Sequence, residues 1–280
     1  VRASRRGAVY NRARMGRGGG AMESKTDEHR QIGAGAAARV RIVLVGTTHP
    51  GNIGSAARAM KAMGMRDLAL VAPERFPHAD ATALASGADD VLAGATVVDT
   101  LTEAVADCHQ VVGTSARTRT HSVPVLEPDG AASRVLGGAA EGPVALVFGR
   151  EHSGLTNEEL DHCHAFVRIP TDPDFSSLNL AGSVQIMTWA VRRAALADVG
   201  EPDAVVRQAS AAERDPAATH AELEGLFEHY EKTLEAIDVL DPENPRHTMR
   251  RLRHLYLRAE PTASEVRLLR GILTHTLRGR

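Results

Sequence analysis

From about residue 41 the chain alternates short, nearly continuous apolar runs with stretches of helical spacing. The runs are "RIVLVG" (41–46), "LALVA" (68–72), "ATVVD" (95–99), "QVVGT" (110–114), "VALVFG" (144–149) and "AFVRIP" (165–170). Between several of them lie Ala-rich amphipathic segments such as 53–63 and 79–86. Strands that are apolar on both sides need cover on both sides. The order therefore predicts an α/β fold with a mostly parallel sheet and helices on both faces. The last helix of this block, "LNLAGSVQIMTWAVRRAAL" (178–196), is its longest and most apolar, so it is expected to pack deep.

The flanks follow other patterns. "VRASRRGAVYNRARMGRGGGAMESKTDEHRQIGAGAA" has no usable periodicity and reads as disorder from its Gly and Arg content; Met15 or Met22 can each open a shorter chain. "VGEPDAVVRQASAAERDPAA" (199–218) reads as a linker. Three helices are expected after it, over 219–238, 243–258 and 262–278. The third opens with "PTASE", where Thr262 and Glu265 have capping-box spacing. The chain thus divides into a disordered basic tail (1–38), an α/β domain (39–198), a linker (199–218) and a small helical extension (219–280).

With 280 residues, 43% of them hydrophobic, the chain is long enough for one main domain and a smaller one. It contains no apolar run of about 18 residues and no secretory-signal stretch, so no membrane association is expected. Two cysteines, Cys108 and Cys163, fit a reduced, cytoplasmic setting. In "DHCHAF", His162, Cys163 and His164 lack a second ligand cluster at zinc-like spacing, and no metal is expected. The net charge of −2 hides an uneven distribution. Residues 1–20 and 242–280 each sum to +6, leaving −14 on residues 21–241. Basic ends of this kind suit an anionic polymer as well as a solvated surface.

Four strands run into loops rich in Gly, Ser, Thr and charge: "GTTHPGN" (46–52), "GTSARTRT" (113–120), "GREHSGLTNEE" (149–159) and "PTDPDFSSLN" (170–179). Ligands of open α/β sheets bind at the carboxyl ends of strands, so these loops define a candidate site. Gly51, Gly54 and Ala57 make G-x-x-G-x-x-A, not a dinucleotide fingerprint, although Glu74 stands near where a ribose-binding acid falls. No P-loop and no G-x-S-x-G is present. On the helix that follows the first loop, Ile53, Ala57, Met60 and Met63 share an apolar face. Arg58 falls nearly opposite, beside Ser55 and Ala62. That position suits either a solvated arginine or one that grips a phosphate between small neighbours.

Three segments resemble the motifs of the SPOUT (α/β-knot) RNA methyltransferases, in family order: "GNIGSAARAMKAMG", "LVFGREHSGLTNEEL" and "IPTDPDFSSLNLAGSVQI". "DPENPRHTMRRLRHLYLRAEPTASEVRLLRGI" resembles the C-terminal extension of the TrmJ-type branch, whose members methylate the ribose 2′-hydroxyl of the pyrimidine at tRNA position 32. The resemblance implies a C-terminal trefoil knot, S-adenosyl-L-methionine as cofactor, tRNA as substrate and a homodimer. It implies a cofactor pocket formed by Thr114, Ser115, Ala116, Gly149, Ile169, Ser176, Ser177 and Leu178. Catalytic weight falls on Arg58 and Ser177, with Asn52 and Glu151 organising the site. Asn52 also suits a helix N-cap, Ser177 a cap for the helix at 178, and Glu151 a solvated turn carboxylate. Arg58, Arg246, Arg250, Arg251 and Arg253 are the expected RNA contacts. Deprotonating a guanidinium at neutral pH costs about 7 kcal/mol, so Arg58 is expected to stay charged and hold phosphate. The alternatives are a ribosomal RNA methyltransferase of the same fold and a non-catalytic RNA-binding protein; an NAD-dependent dehydrogenase ranks last for want of the glycine fingerprint.

Overall fold

The computed structural model describes residues 35–115, 123–197, 215–240 and 246–279. Seven strands form one sheet: β1 (Val40–Val45), β2 (Leu68–Val71), β3 (Thr96–Val98), β4 (Gln110–Thr114), β5 (Val125–Leu126), β6 (Val144–Phe148) and β7 (Ala165–Val167). Their order is β3-β2-β1-β6-β4-β7-β5, and every neighbouring pair is parallel. All six apolar runs are strands, as the near-continuous patterning requires of a sheet covered on both faces. Alternate residues of β1 enter different cores, with Ile42 and Leu44 on one face and Val43 and Val45 on the other.

The helices of the α/β block are α1 (Pro50–Ala62), α2 (Ala79–Ala85), α3 (Asp89–Ala93), α4 (Leu101–Val105), α5 (Pro128–Ala139), α6 (Asn157–Leu160) and α7 (Leu180–Ala197). α1 begins earlier than its apolar spacing indicates, because Pro50 occupies its first turn and His49 is the N-cap. Asn52 is therefore inside the helix and does not cap it. Gly54 lets α1 and α2 meet closely, since a Cβ there would lie 2.0 Å from the Ala81 carbonyl oxygen. Ile53, Ala57 and Met60 are buried as expected, joined by Ala56 and Ala59, whereas Met63 is a half-buried C-cap. Arg58 and Ala62 are exposed.

α7 is less deeply buried than its composition suggests. Val184, Met187, Ala190 and Val191 enter the core, but Trp189 and Leu196 remain 48% and 45% exposed. One apolar stripe is buried in the core, and the other stays exposed among the described residues, with only the Arg193 guanidinium over the Trp189 ring.

β7, the last strand, is inserted between β4 and β5, which precede it in sequence. That strand order is the one expected where a late strand returns into the sheet between two earlier ones. Residues 116–122 of the connection from β4 to β5, Ala116 among them, lie outside the described residues.

The extension holds α8 (His220–Ala236), α9 (Arg246–Ala259) and α10 (Ala263–Arg278) around Leu223, Leu226, Phe227, Leu257, Val266 and Leu273. Thr262 and Glu265 form the capping box that starts α10. The tail's residues 1–34 and residues 198–214 lie outside the described residues. Residues 215–218, assigned to the linker by sequence, pair with the start of α10: Ala218 N–H donates to the Pro261 carbonyl at 2.9 Å. The extension also docks on the α/β block, where His220 N–H donates to the Cys108 carbonyl at 2.9 Å. No described helix is long and apolar enough to cross a membrane.

Candidate active site

Because β1, β6, β4 and β7 are adjacent and parallel, the four loops noted in the sequence emerge side by side at one edge of the sheet. The loops after β4, β6 and β7 enclose a cavity of about 230 Å³. Thr114, Ser115 and Gly149 line it from the strand ends, and Ile169, Ser176, Ser177 and Leu178 line it from the approach to α7. These are the sequence-predicted cofactor residues within the described chain. Phe148, Leu155, Leu160 and Val167 supply much of the apolar wall.

Gly149 is needed by the turn itself. A Cβ there would come within 2.2 Å of Gly154 backbone, because Arg150 and Gly154 exchange two backbone hydrogen bonds of 3.2 and 3.0 Å. The Arg150 guanidinium grips Glu159 through two bonds of 3.0 Å, and Glu159 closes a capping box with Thr156. The loop is thus fixed by its own charges, and Arg150, the one arginine among the described residues of the cavity wall, is already paired.

Glu151 ties this loop to the first. Its carboxylate accepts from the N–H groups of Thr48 and His49 at 3.1 and 3.2 Å and from Asn52 Nδ2 at 2.9 Å. Burial opposes its charge, but the Asn52 amide and the two backbone donors outweigh that and hold the carboxyl below its usual range. The chain continues: Asn179 Nδ2 donates to Asn52 Oδ1 at 3.1 Å, and Asn179 Oδ1 accepts from Gly182 N–H at 3.2 Å in the first turn of α7. Three sequence segments are joined by three side chains, through bonds that span 99 and 127 residues. The donors before α1, which in a nucleotide-binding loop face a phosphate, are occupied by a protein carboxylate.

Sequence reasoning missed Asn179 and Arg150. An Asn directly before an apolar helix is an N-cap signal, and it places the cap at Asn179 rather than at Ser177. Ser177 is exposed and faces the cavity, while Arg58 is not among the residues lining it. Within one chain the two expected catalytic residues do not share the cavity. Arg58 makes no hydrogen bond or ion pair with the described residues.

Of the remaining expected RNA contacts, Arg250 Nε bonds Asp161 at 2.9 Å. Arg253 forks onto Glu224 and lies over the Phe227 ring, 4.5 Å from its centroid. Both hold α9 in place. Arg251 is exposed, and the Arg246 side chain lies outside the described set. His162, Cys163 and His164 are not alike either. Cys163 is buried and its thiol is pushed well above the usual range by desolvation. His164 is buried and accepts from Val111 N–H at 3.2 Å. His162 is met by His220 and Glu224 from α8, a second ligand cluster that sequence spacing did not reveal.

An all-parallel sheet with its last strand inserted, and a ligand cavity at the inserted edge, defines the α/β-knot class of methyltransferases. Residues 39–189 match the SpoU rRNA methylase family and residues 221–279 match the TrmJ C-terminal domain of tRNA methyltransferases. The tRNA (cytidine/uridine/adenosine-2′-O-)-methyltransferase TrmJ of Pseudomonas aeruginosa is 53% identical over 240 residues, 85% of this chain and 93% of its own. The tRNA (cytidine/uridine-2′-O-)-methyltransferase TrmJ of Escherichia coli is 48% identical, covering 84% of this chain and 93% of its own. A crystal structure of TrmJ from Zymomonas mobilis superposes with a TM-score of 0.72 at 35% identity, over 84% of this chain and 97% of that one. The chain belongs to the SpoU methyltransferase family, in its TrmJ branch. SpoU methyltransferases use S-adenosyl-L-methionine.

The cavity fits that cofactor. Its apolar wall suits an adenine ring, its hydroxyls and backbone groups suit a ribose and an amino-acid tail, and the arginine among its described lining residues, Arg150, is paired with Glu159. Such a lining accepts a phosphate-free sulfonium better than a dinucleotide, whose phosphates need free donors.

Proposed function

We propose that this chain methylates the ribose 2′-hydroxyl of tRNA at the pyrimidine in position 32 of the anticodon loop, with S-adenosyl-L-methionine as donor. The observation that carries this reading is the Glu151–Asn52–Asn179 chain, which brings the first loop to the cavity formed by the other three. A helical extension of the TrmJ type, beside that site, supports tRNA as the substrate. A cytoplasmic location belongs with this substrate.

The bound cofactor supplies an electrophilic methyl group on sulfur. Gly149, Ile169 and Leu178 line the cavity that would hold it, and Ser177, exposed on the same lining, is in position to hydrogen-bond the incoming nucleotide. Arg58 remains charged and binds the phosphate next to the target ribose, leaving that phosphate or water to take the hydroxyl proton. The reactants are then aligned by held geometry, which accounts for a large share of rate enhancement in transfers of this type.

Arg58 is read as serving the second copy of a homodimer. It is exposed, unpartnered among the described residues and outside its own chain's cavity wall. The exposed stripe on α7, with Trp189 and Leu196, gives a second copy an apolar surface on the helix whose start borders the cavity.

Nucleoside mass spectrometry of tRNA incubated with the protein and labelled cofactor tests the activity, and primer extension on tRNA and ribosomal RNA locates it. Label in 2′-O-methylated cytidine or uridine at position 32 is expected. Label confined to ribosomal RNA supports the rRNA alternative, and tRNA binding without label supports the non-catalytic one. The adenosine in the Pseudomonas relative's name makes an adenosine-32 substrate the informative third arm.

A further inference from the structure

The joint between the α/β block and the extension brings two histidines that the proposed chemistry does not use against the carboxylate that also holds Arg253. His162 follows α6, while His220 and Glu224 lie one turn apart on α8. Glu224 Oε1 is 3.4 Å from both His162 Nδ1 and His220 Nε2, and the three ligand atoms all fall within 4.8 Å of one another. His220 is 1% exposed; its Nε2 and His162 Nδ1 meet only Glu224, at a long 3.4 Å, and His220 Nδ1 has no hydrogen-bond partner among the described residues. Buried polar nitrogens of this kind are nearly always satisfied, by protein, water or an ion. His162 Nδ1 and His220 Nε2, both turned to the same carboxylate oxygen, are placed to share one partner with it.

We propose that His162, His220 and Glu224 bind a divalent transition ion of the zinc class, with solvent as fourth ligand, that clips the extension to the catalytic block. Zinc bonds imidazole nitrogen and carboxylate oxygen at about 2.0–2.2 Å, which sets tetrahedral ligand atoms roughly 3.3–3.5 Å apart. The two measured separations of 3.4 Å match that edge. The side chains of His162 and Glu224 are each 20% exposed, which leaves an entry path and room for the water. A His₂Glu set is a known donor combination for zinc, and two histidines make magnesium or calcium poor competitors.

Arg253 shares the carboxylate. Its Nη2 bonds Glu224 Oε2 at 2.9 Å, and its Nη1 reaches Oε1, the oxygen the ion needs. The ion displaces the second contact and leaves the first, so Arg253 orients the ligand and weakens the site at once. His162 and the His220–Glu224 pair lie on opposite sides of the joint. Ion binding therefore acts on how firmly the extension is docked.

The full-length chain, stripped with chelator and dialysed, is titrated with Co²⁺ while the visible ligand-field bands of a tetrahedral site are followed; Zn²⁺ is then added to displace it. Intense tetrahedral bands, their loss on Zn²⁺ addition and a Zn²⁺-dependent rise in Tm are expected. Because removing an outer partner already costs 10–100-fold in affinity, His162→Ala and Glu224→Gln should each weaken Co²⁺ binding by about 100-fold or more. Both alter partly exposed side chains and spare fully buried His220, and circular dichroism checks that they fold. Arg253→Met should strengthen Co²⁺ binding by roughly tenfold, since it frees Oε1. A weak octahedral spectrum, or tetrahedral bands undiminished in His162→Ala and Glu224→Gln, overturns the site.

Discussion

Glu151 is the residue on which the candidate site turns. It spends its charge on two backbone donors and Asn52 rather than on substrate, so its contribution is to hold loops in place. Glu151→Ala leaves those three donors unsatisfied and should destabilise the fold by about 2–3 kcal/mol, read by denaturant unfolding. Its folded pKa is lowered, so its stabilisation is complete above the ordinary value of 4.5 and is lost as pH falls from there through the lowered value. The difference in Tm between wild type and Glu151→Gln should accordingly be constant near neutrality and shrink below about pH 4.5; a gap that widens in acid contradicts the assignment. Arg58 is a different kind of residue, with nothing inside the described chain to hold. Arg58→Lys keeps the charge and loses the planar fork, and methyl transfer to tRNA should fall at least about tenfold.

At the scale of elements, α9 carries the arginines that sequence reading gave to RNA, and the structure separates them. Arg250 and Arg253 are paired with Asp161 and Glu224, while Arg251 points to solvent. Arg251→Ala should lower the slope of log affinity for tRNA against log salt by about 1, whereas Arg253→Ala should leave the slope unchanged. Filter binding at several salt concentrations distinguishes them, and equal slopes for both variants would return Arg253 to the interface. Charge was legible in the sequence, but the acids that consume it came from distant segments and were not. The sheet was legible for a related reason. β2 and β6 are apolar along their whole length, and β1 and β4 through most of theirs, because both faces are covered, and that pattern needs no partner to be seen. β5 was missed because it is a two-residue edge strand with Val125 half exposed, too short to carry a period. α1 was misjudged at its start because Asn52 drew attention as a cap, although Pro50 one residue into the helix is the better marker. In the candidate site, the residues lining the cavity could be read from motif order, since each follows a strand. The Asn52–Glu151–Asn179 chain could not, because it depends on how three loops meet in space.

The whole molecule combines an inserted-strand catalytic block, a basic helical extension and a face on α7 whose Trp189 and Leu196 stay exposed among the described residues. If Arg58 serves the second copy's cavity, two defective chains should repair one another. Mixing Arg58→Ala with Ser177→Ala yields heterodimers in which one site has both residues intact, so about a quarter of wild-type activity should return at random mixing. If Arg58 works in its own chain's site, no activity returns. The central claim is that the loops after β4, β6 and β7 seat the methyl donor beside a tRNA ribose. A crystal structure of the chain with S-adenosylhomocysteine, the demethylated product, tests it most directly. The account predicts the product between Gly149, Ile169 and Leu178, with Ser177 at the open side and the partner's Arg58 at the mouth. Product bound elsewhere, or absent from that cavity at saturating concentration, would contradict it.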